Sequence, residues 1–357
     1  MKNPRHLLPL GLALLASFTG GGAARAVTIL HNFTFSATDG RYPNGALTLS
    51  GSTLYGMSSG GSSSNGAVFK VNTDGSGFGL VHSFAGSPSD GSSPKGALTL
   101  VGSTLYGTTE ISPQGLGTIF SVNTDGGGYH IVHQFTSNGS EGNNPVTPPI
   151  VSGTTLYGVT SQGGATANNG AIYRLNTSGT GLSLLHSFNG GVNDGLDPEG
   201  GLLLSGAKLF GLTRTGGTSN KGVLFGLNTD GTGFSLLHSF AFASSDGFYP
   251  GSTLTAFGAK LFGTVYSSSP GSGTLFSINT DGSGFATLNQ FGGTATDGAN
   301  PVGAPTLSVD GTTLYGVTQN GGSTGRGTVF SASAPEPSSA ALLLGSGLLA
   351  LGRRRRG

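Results

Sequence analysis

Two sets of side chains recur in this sequence where chemistry is possible. His31, His82, His133, His186 and His238 each stand two residues before a phenylalanine. Imidazole is a common metal ligand, so five recurrent histidines invite a metal reading. They occupy one place in five successive repeats, however, and copies of one place lie around a ring, too far apart to share an ion. A structural hydrogen bond within the strand that carries each histidine is the expectation. The second set is acidic. Asp39, Asp90, Asp194, Asp246 and Asp297 each open an Asp-Gly-x-x-Pro motif, and Glu141 opens a sixth copy. A ring of carboxylates suits Ca²⁺, which takes oxygen ligands. The same residues suit a turn between repeats, with Asp capping it and Pro stiffening it, and the sequence favours the turn. No cofactor is expected, Ca²⁺ being the one candidate.

The positions of these groups follow from a repeat. Leu-Tyr-Gly or Leu-Phe-Gly places its aromatic at Tyr55, Tyr106, Tyr157, Phe210, Phe262 and Tyr315, with spacings of 51, 51, 53, 52 and 53 residues. A Gly-x-x-aromatic motif ends at Phe69, Phe120, Tyr173, Phe225, Phe276 and Phe330. Asn-Thr-Asp-Gly begins at Asn72, Asn123, Asn228 and Asn279. Each unit reads as four strands, a to d; in the first these are residues 46–49, 53–57, 67–71 and 78–84. Each is short, rich in β-branched and aromatic residues, and bounded by Gly, Asn, Asp or Ser. Asn-Thr-Asp-Gly suits the c–d hairpin. Nothing in the body has helical periodicity with caps.

Antiparallel units of four strands at this period predict an all-β fold, a six-bladed β-propeller over residues 27–334. The sixth unit runs out at Phe330-Ser331 without a strand d, whereas Val27 to Phe33 is a strand d with no a, b or c before it. Pairing the two completes a sixth blade, closes the ring and removes exposed edges. Of 30 Phe and Tyr residues, 22 fall on four repeat positions, which places the core at the blade interfaces. A kelch repeat has a similar period, but this chain has no Trp.

Along antiparallel strands the connecting loops alternate between faces, so d–a and b–c loops share one face. That face holds the departures from the repeat: Glu110, Arg214, Lys221, Tyr266 and Arg326 on b–c loops, and Arg41, Tyr42, Phe248 and Tyr249 on d–a loops. Aromatic rings beside polar groups suit stacking on sugars, which makes these nine the candidate ligand-binding residues. No catalytic constellation is apparent. Gly321-Gly322-Ser323-Thr324-Gly325 matches the hydrolase G-x-S-x-G pattern, but that motif needs a strand-to-helix elbow. Stretches such as Asp74 to Gly77 lack the βαβ context of a nucleotide loop.

Composition excludes several classes. Cysteine is absent, so there is neither a disulfide framework nor a thiolate metal site. The formal charge of +1 is carried by the ends. Between Val27 and Ala334 there are nine Lys/Arg and fourteen Asp/Glu, and this mildly acidic body offers no basic patch for nucleic acid. Residues 1–26 read as a signal peptide: Lys2, Arg5 and His6, an apolar run from Leu7 to Phe18, and an A-x-A site ending at Ala26. Residues 335–357 read as Pro335-Glu336-Pro337, an uncharged segment from Ser338 to Gly352, and Arg353 to Arg356. The apolar run is shorter than the ~20 residues of a stable span, and the arginines hold its end on the cytoplasmic side. It suits a transient membrane anchor.

The tail resembles the PEP-CTERM sorting signal. That resemblance implies processing by an exosortase in a Gram-negative-type bacterium, with signal peptidase acting at the other end. The repeat, by its Leu-Tyr-Gly, Gly-x-x-Phe, Asn-Thr-Asp-Gly and His-Ser-Phe motifs, resembles the GloVer repeat family of Gloeobacter and Verrucomicrobia, which brings no established catalytic residues. The expected function is that of a secreted, cell-surface repeat protein. It is expected to be a non-enzymatic binding or matrix component that engages exopolysaccharide or another surface component. The alternatives are an extracellular glycan hydrolase or lyase using Glu110, Asp197 or Glu199, and a purely structural surface array.

Overall fold

A computed structural model describes residues 29–33, 38–60, 65–87, 89–113, 115–136, 141–165, 168–241, 246–267, 272–292, 298–308, 310–322 and 328–335. The signal-peptide segment with Ala26, Asp297, the G-x-S-x-G serine, Arg326 and the tail from Glu336 onward lie outside the described residues. Among the described residues there is no helix, hence none long and apolar enough to cross a membrane.

Six antiparallel sheets follow one another along the chain as the blades of a β-propeller, and in blade 4 a separate two-stranded ladder pairs Gly195–Leu196 with Thr215–Gly216. In blade 1 the strands are Arg41–Ser50, Thr53–Gly60, Ala67–Asn72 and Gly79–Ser83, paired in sequence order. Strand a is longer than the sequence pattern predicts. It begins at Arg41 because a register shift between Asn44 and Thr48 lets one strand follow strand b along two segments. The shift recurs between Lys95 and Thr99 and between Val302 and Thr306. In blade 3 the same break splits strand a into Gly142–Pro145 and Ile150–Ser152.

Strands a of blades 1 and 2, 2 and 3, 4 and 5, and 5 and 6 touch one another, so strand a is innermost. Thr48 Oγ1 donates to the Leu98 carbonyl at 2.6 Å and Thr99 Oγ1 to the Pro149 carbonyl at 2.8 Å, stitching successive inner strands together. In blades 1 to 5 strands b and c are sandwiched between blades and are mostly buried on both faces, which is why they read as apolar runs without alternation. Tyr106 of blade 2 packs with Leu156 and Tyr173 of blade 3, and Phe210 and Leu212 of blade 4 pack with Leu254 and Phe276 of blade 5.

The glycine of Leu-Tyr-Gly exists because of the aromatic of the next strand. A Cβ at Gly107 would stand 2.5 Å from the Phe120 ring, and one at Gly211 2.4 Å from Phe225. The two motifs are thus halves of one contact. The c–d turn forms as expected: Asp74 Oδ1 accepts from Ser76 N–H at 2.9 Å and Ser76 O–H at 2.7 Å, and Gly75 takes a φ of 86°.

The described residues contain the blade-1 half of the ring closure. His31 stacks on Phe78 and Phe33 meets Phe69 edge-on, as His82 stacks on Tyr129 and Phe84 meets Phe120 one interface later. Ile29 to Phe33 therefore occupies, on blade 1, the place that strand d of each blade takes on the next. Blade 6 contributes strands a to c, Gly298–Leu307, Thr313–Gly321 and Thr328–Ser333. No ladder between Thr328–Ser333 and Ile29–Phe33 is present among the described residues.

Candidate functional site

The recurrent histidines and carboxylates find each other. His82 Nε2 meets the Asp90 carboxylate at 2.9 Å, His133 meets Glu141 at 2.9 Å, His186 meets Asp194 at 3.0 Å and His238 meets Asp246 at 3.1 Å; His31 and Asp39 pair likewise. The constant separation of eight residues was the sequence signal for this pairing, which the strand-by-strand reading missed. Each carboxylate also caps its d–a loop: Asp90 accepts from the Ala85 and Gly91 N–H groups at 3.0 and 2.7 Å. In all of these pairs but His133–Glu141 the imidazole then lies flat on an aromatic, His31 on Phe78 at 3.5 Å and, on the following blade, His82 on Tyr129 at 3.6 Å, His186 on Phe234 at 3.7 Å and His238 on Phe285 at 3.8 Å. Burial pushes the Asp90 carboxyl up, but hydrogen bonds from His82, Tyr129 and the Ala85 N–H outweigh it and leave it below the ordinary carboxylate range. Burial and the Asp90 charge push the Tyr129 phenol up. These are structural clamps. Among the described residues no group of three His, Asp or Glu side chains is placed to hold a metal ion.

The d–a and b–c loops share one face. The Ser93 N–H donates to the Asn65 carbonyl of the preceding blade at 2.9 Å, as Asn144 does to Leu116, Asp197 to Asn169 and Tyr249 to Lys221, at 3.0, 3.0 and 2.9 Å. That bond holds a strained residue. Tyr42, Ser93, Asn144, Asp197, Tyr249 and Asn300 all have left-handed backbone, with φ from 50° to 63°, and each precedes a proline. A non-glycine residue before proline is driven away from this region, and such strain costs of order 1–3 kcal/mol per residue. Six copies of one strained position present six different neighbourhoods on a common rim.

Two further positions per blade complete the rim. Two residues beyond the strained one, strand a carries Asn44, Lys95, Val146, Glu199, Gly251 and Val302. Opposite, the end of strand b carries Ser59, Glu110, Ser161, Arg214, Tyr266 and Gln319. The two positions pair within a blade: Asn44 with Ser59 at 3.1 Å, Lys95 with Glu110 at 3.0 Å, Arg214 with Glu199 at 3.0 Å. In blade 5 the pair is Gly251 and Tyr266, and the missing side chain opens a cavity of about 400 Å³. Its wall includes Glu199, Arg214, Tyr249, Tyr266 and Val302, contributed by blades 4, 5 and 6.

Of the nine sequence candidates, Arg214, Tyr249 and Tyr266 line the cavity, and Lys221 and Phe248 stand beside Tyr249. Arg214 Nη1 also lies 3.9 Å from the Asp197 carboxylate, and its guanidinium stands 5.7 Å from the Tyr249 ring centre. Lys221 Nζ donates to the Tyr249 hydroxyl at 3.3 Å and lies 5.1 Å from that ring and 5.7 Å from the Phe248 ring. The Tyr266 hydroxyl donates to Gln319 Oε1 at 3.1 Å. Arg41 and Tyr42 stand on blade 1 and Glu110, paired with Lys95, on blade 2, so these three are not part of the cavity. Gly251, Val302 and Gln319 were missed by sequence reasoning, because a glycine in a glycine-rich chain carries no signal until its five counterparts are aligned with it.

Residues 111–270 match the family model described as the Gloeobacter/Verrucomicrobia repeat, and residues 333–356 match the PEP-CTERM protein-sorting motif. No curated protein matches the chain. Among solved structures, an oligogalacturonate lyase in complex with manganese is similar with a TM-score of 0.53 and 12% identity, over 83% of this chain and 78% of that one. A nidogen/laminin complex is similar with a TM-score of 0.44 and 14% identity, over 72% and 81%. TolB from Acinetobacter baumannii has a TM-score of 0.44 and 15% identity, over 76% and 60%. At these identities the likeness concerns the fold.

Proposed function

We propose that this propeller, borne by a chain that carries Gloeobacter/Verrucomicrobia repeats and a PEP-CTERM sorting motif, is a glycan-binding component of the bacterial surface. The sorting motif makes the chain an exported protein of a Gram-negative-type bacterium, sorted to the cell surface, and implies exosortase processing. Removal of residues 1–26 by signal peptidase, and an exopolysaccharide or matrix partner, belong to the proposal. The observation that carries it is the blade 4–6 cavity. Two tyrosine rings face a space of small-ligand size, within the ~300–1,000 Å³ that such pockets occupy, beside the hydrogen-bonding groups of Arg214 and Glu199. Aromatic rings supply a flat apolar platform and the ion pair supplies donors and acceptors.

The test is calorimetric titration of the purified body, residues 27–334, with exopolysaccharide and a panel of oligosaccharides. Binding is expected, and Tyr249→Ala is expected to weaken it roughly tenfold or more. Absence of binding across the panel would count against the reading.

A second reading has one observation in its favour. Asp197 and Glu199 both reach one nitrogen of Arg214, at 3.9 and 3.0 Å, so a second carboxylate stands behind the Glu199 that lines the cavity, and a glycosidase works with a pair of carboxylates. Release of new reducing ends or unsaturated sugars during the same titrations, lost in Glu199→Gln, would establish catalysis. Glu110, on blade 2 with Lys95, takes no part in this reading.

A further inference from the structure

The rim alternates occupied and paired positions around the propeller, and blade 5 alone lacks the inner side chain. Asn44, Lys95, Val146, Glu199 and Val302 show that the position accepts polar, charged and branched residues. Gly251 is not required by the backbone: its φ lies outside the left-handed region, and an added Cβ would meet only Glu199, at 3.4 Å from Oε2 and 3.9 Å from Cβ, ordinary contact distances. This contrasts with Gly45, where a Cβ would overlap the Gly96 carbonyl at 1.8 Å. A glycine that neither the backbone nor the packing demands, opening the cavity against Tyr266, is a vacancy shaped for something else.

The charges around the vacancy say what it takes. Asp197 and Glu199 share Arg214, and Lys221 lies over Phe248 and Tyr249. Glu199 and Arg214, the charged residues that line the cavity, cancel one another, as do Asp197 and Lys221 beside it, so the wall has no net attraction for an anion. A charge-paired carboxylate and guanidinium offer acceptors and donors side by side, which matches vicinal hydroxyls. Tyr266, 40% exposed, and Val302, 38% exposed, offer apolar surface for the C–H face of a ring.

We infer that Gly251 is the specificity-determining position of this site, and that the vacancy it leaves seats one uncharged pyranose ring against Tyr266, with hydroxyls on the Glu199–Arg214 pair. This deepens the glycan-binding proposal and rests on it. Neutral glycans are selected over uronate-rich ones, and a side chain at position 251 closes the seat.

The experiment titrates the body and its Gly251→Val and Gly251→Asn variants with neutral gluco-, manno- and galacto-oligosaccharides and with oligogalacturonate and oligoalginate, each protein also being followed by thermal melting. The expected result is binding of at least one neutral oligosaccharide, weakened roughly tenfold or more in both variants, with melting temperatures unchanged. Neutral binding that survives Gly251→Val and Gly251→Asn overturns the seat at Gly251 and leaves the glycan reading intact. Preference for the acidic oligosaccharides overturns the charge argument and also leaves that reading intact. A fall in melting temperature in both variants overturns the claim that the fold does not need this glycine. Binding of none of the oligosaccharides removes the glycan reading itself.

Discussion

At the scale of single residues, the repeat is governed by where a side chain can be omitted. Gly211 and Gly251 make opposite demands. Gly211 is covered by the Phe225 ring, and a methyl group there would stand 2.4 Å from it. Gly211→Ala is therefore expected to destabilise the fold by about 1–3 kcal/mol through overpacking, read as a lower melting temperature. Gly251 is covered by nothing of the kind, and its substitution touches the cavity instead. Tyr173 is a related case. It replaces phenylalanine at the covering position of blade 3, its hydroxyl is buried without a hydrogen-bond partner among the described residues, and burial pushes its phenol pKa up.

At the scale of the element, blades 1, 3 and 4 each grip the next through a histidine held by one blade's loop and laid on the next blade's ring. The acid dependence of this clamp has a definite sign. Asp90 lies below its ordinary value of 3.8 in the folded protein, so it contributes stability that is present above that value and lost as pH falls through and beneath it. Asp74, Asp230, Asp281 and Asp310 are lowered in the same direction by hydroxyl and backbone hydrogen bonds of neighbouring Ser and Thr residues. Melting temperature is expected to fall below about pH 5, and to fall less steeply in Asp90→Asn, which starts lower. A melting temperature that is flat from neutral pH into the acid range would contradict the clamp.

At the scale of the whole molecule, the junction between blade 6 and blade 1 differs from the other five. Val329 is 80% exposed and Leu47 51%, while their counterparts Val68 and Leu98, Ile172 and Leu202, and Leu224 and Leu254 are buried together at other interfaces. Tyr315 is 46% exposed where Tyr55 to Phe262 are buried. The two open faces have the same composition as the pairs that close elsewhere. With no cysteine in the chain, Leu47→Cys combined with Val329→Cys is a clean test of closure. A disulfide within one molecule is expected on oxidation, raising the melting temperature. Crosslinks found only between molecules would mean that the ring does not close upon itself.

The sequence by itself determined the periodic part of this protein: six blades, their strands, the c–d turns, the buried aromatics and the loop face. It could do so because burial recurs every 51–53 residues, and a repeated contact leaves a repeated residue. It also pointed to Arg214, Lys221, Phe248, Tyr249 and Tyr266 as departures from the pattern. Tertiary structure decided which departures meet. The cavity is built from three blades, so its residues are separated by whole repeats and by the curvature of the ring, which no local spacing records. The pairing of His82 with Asp90 and the left-handed turn at Tyr249 depend likewise on a neighbouring blade supplying a ring or a carbonyl. An omitted side chain at Gly251 acquires meaning only when the side chains around it are in place.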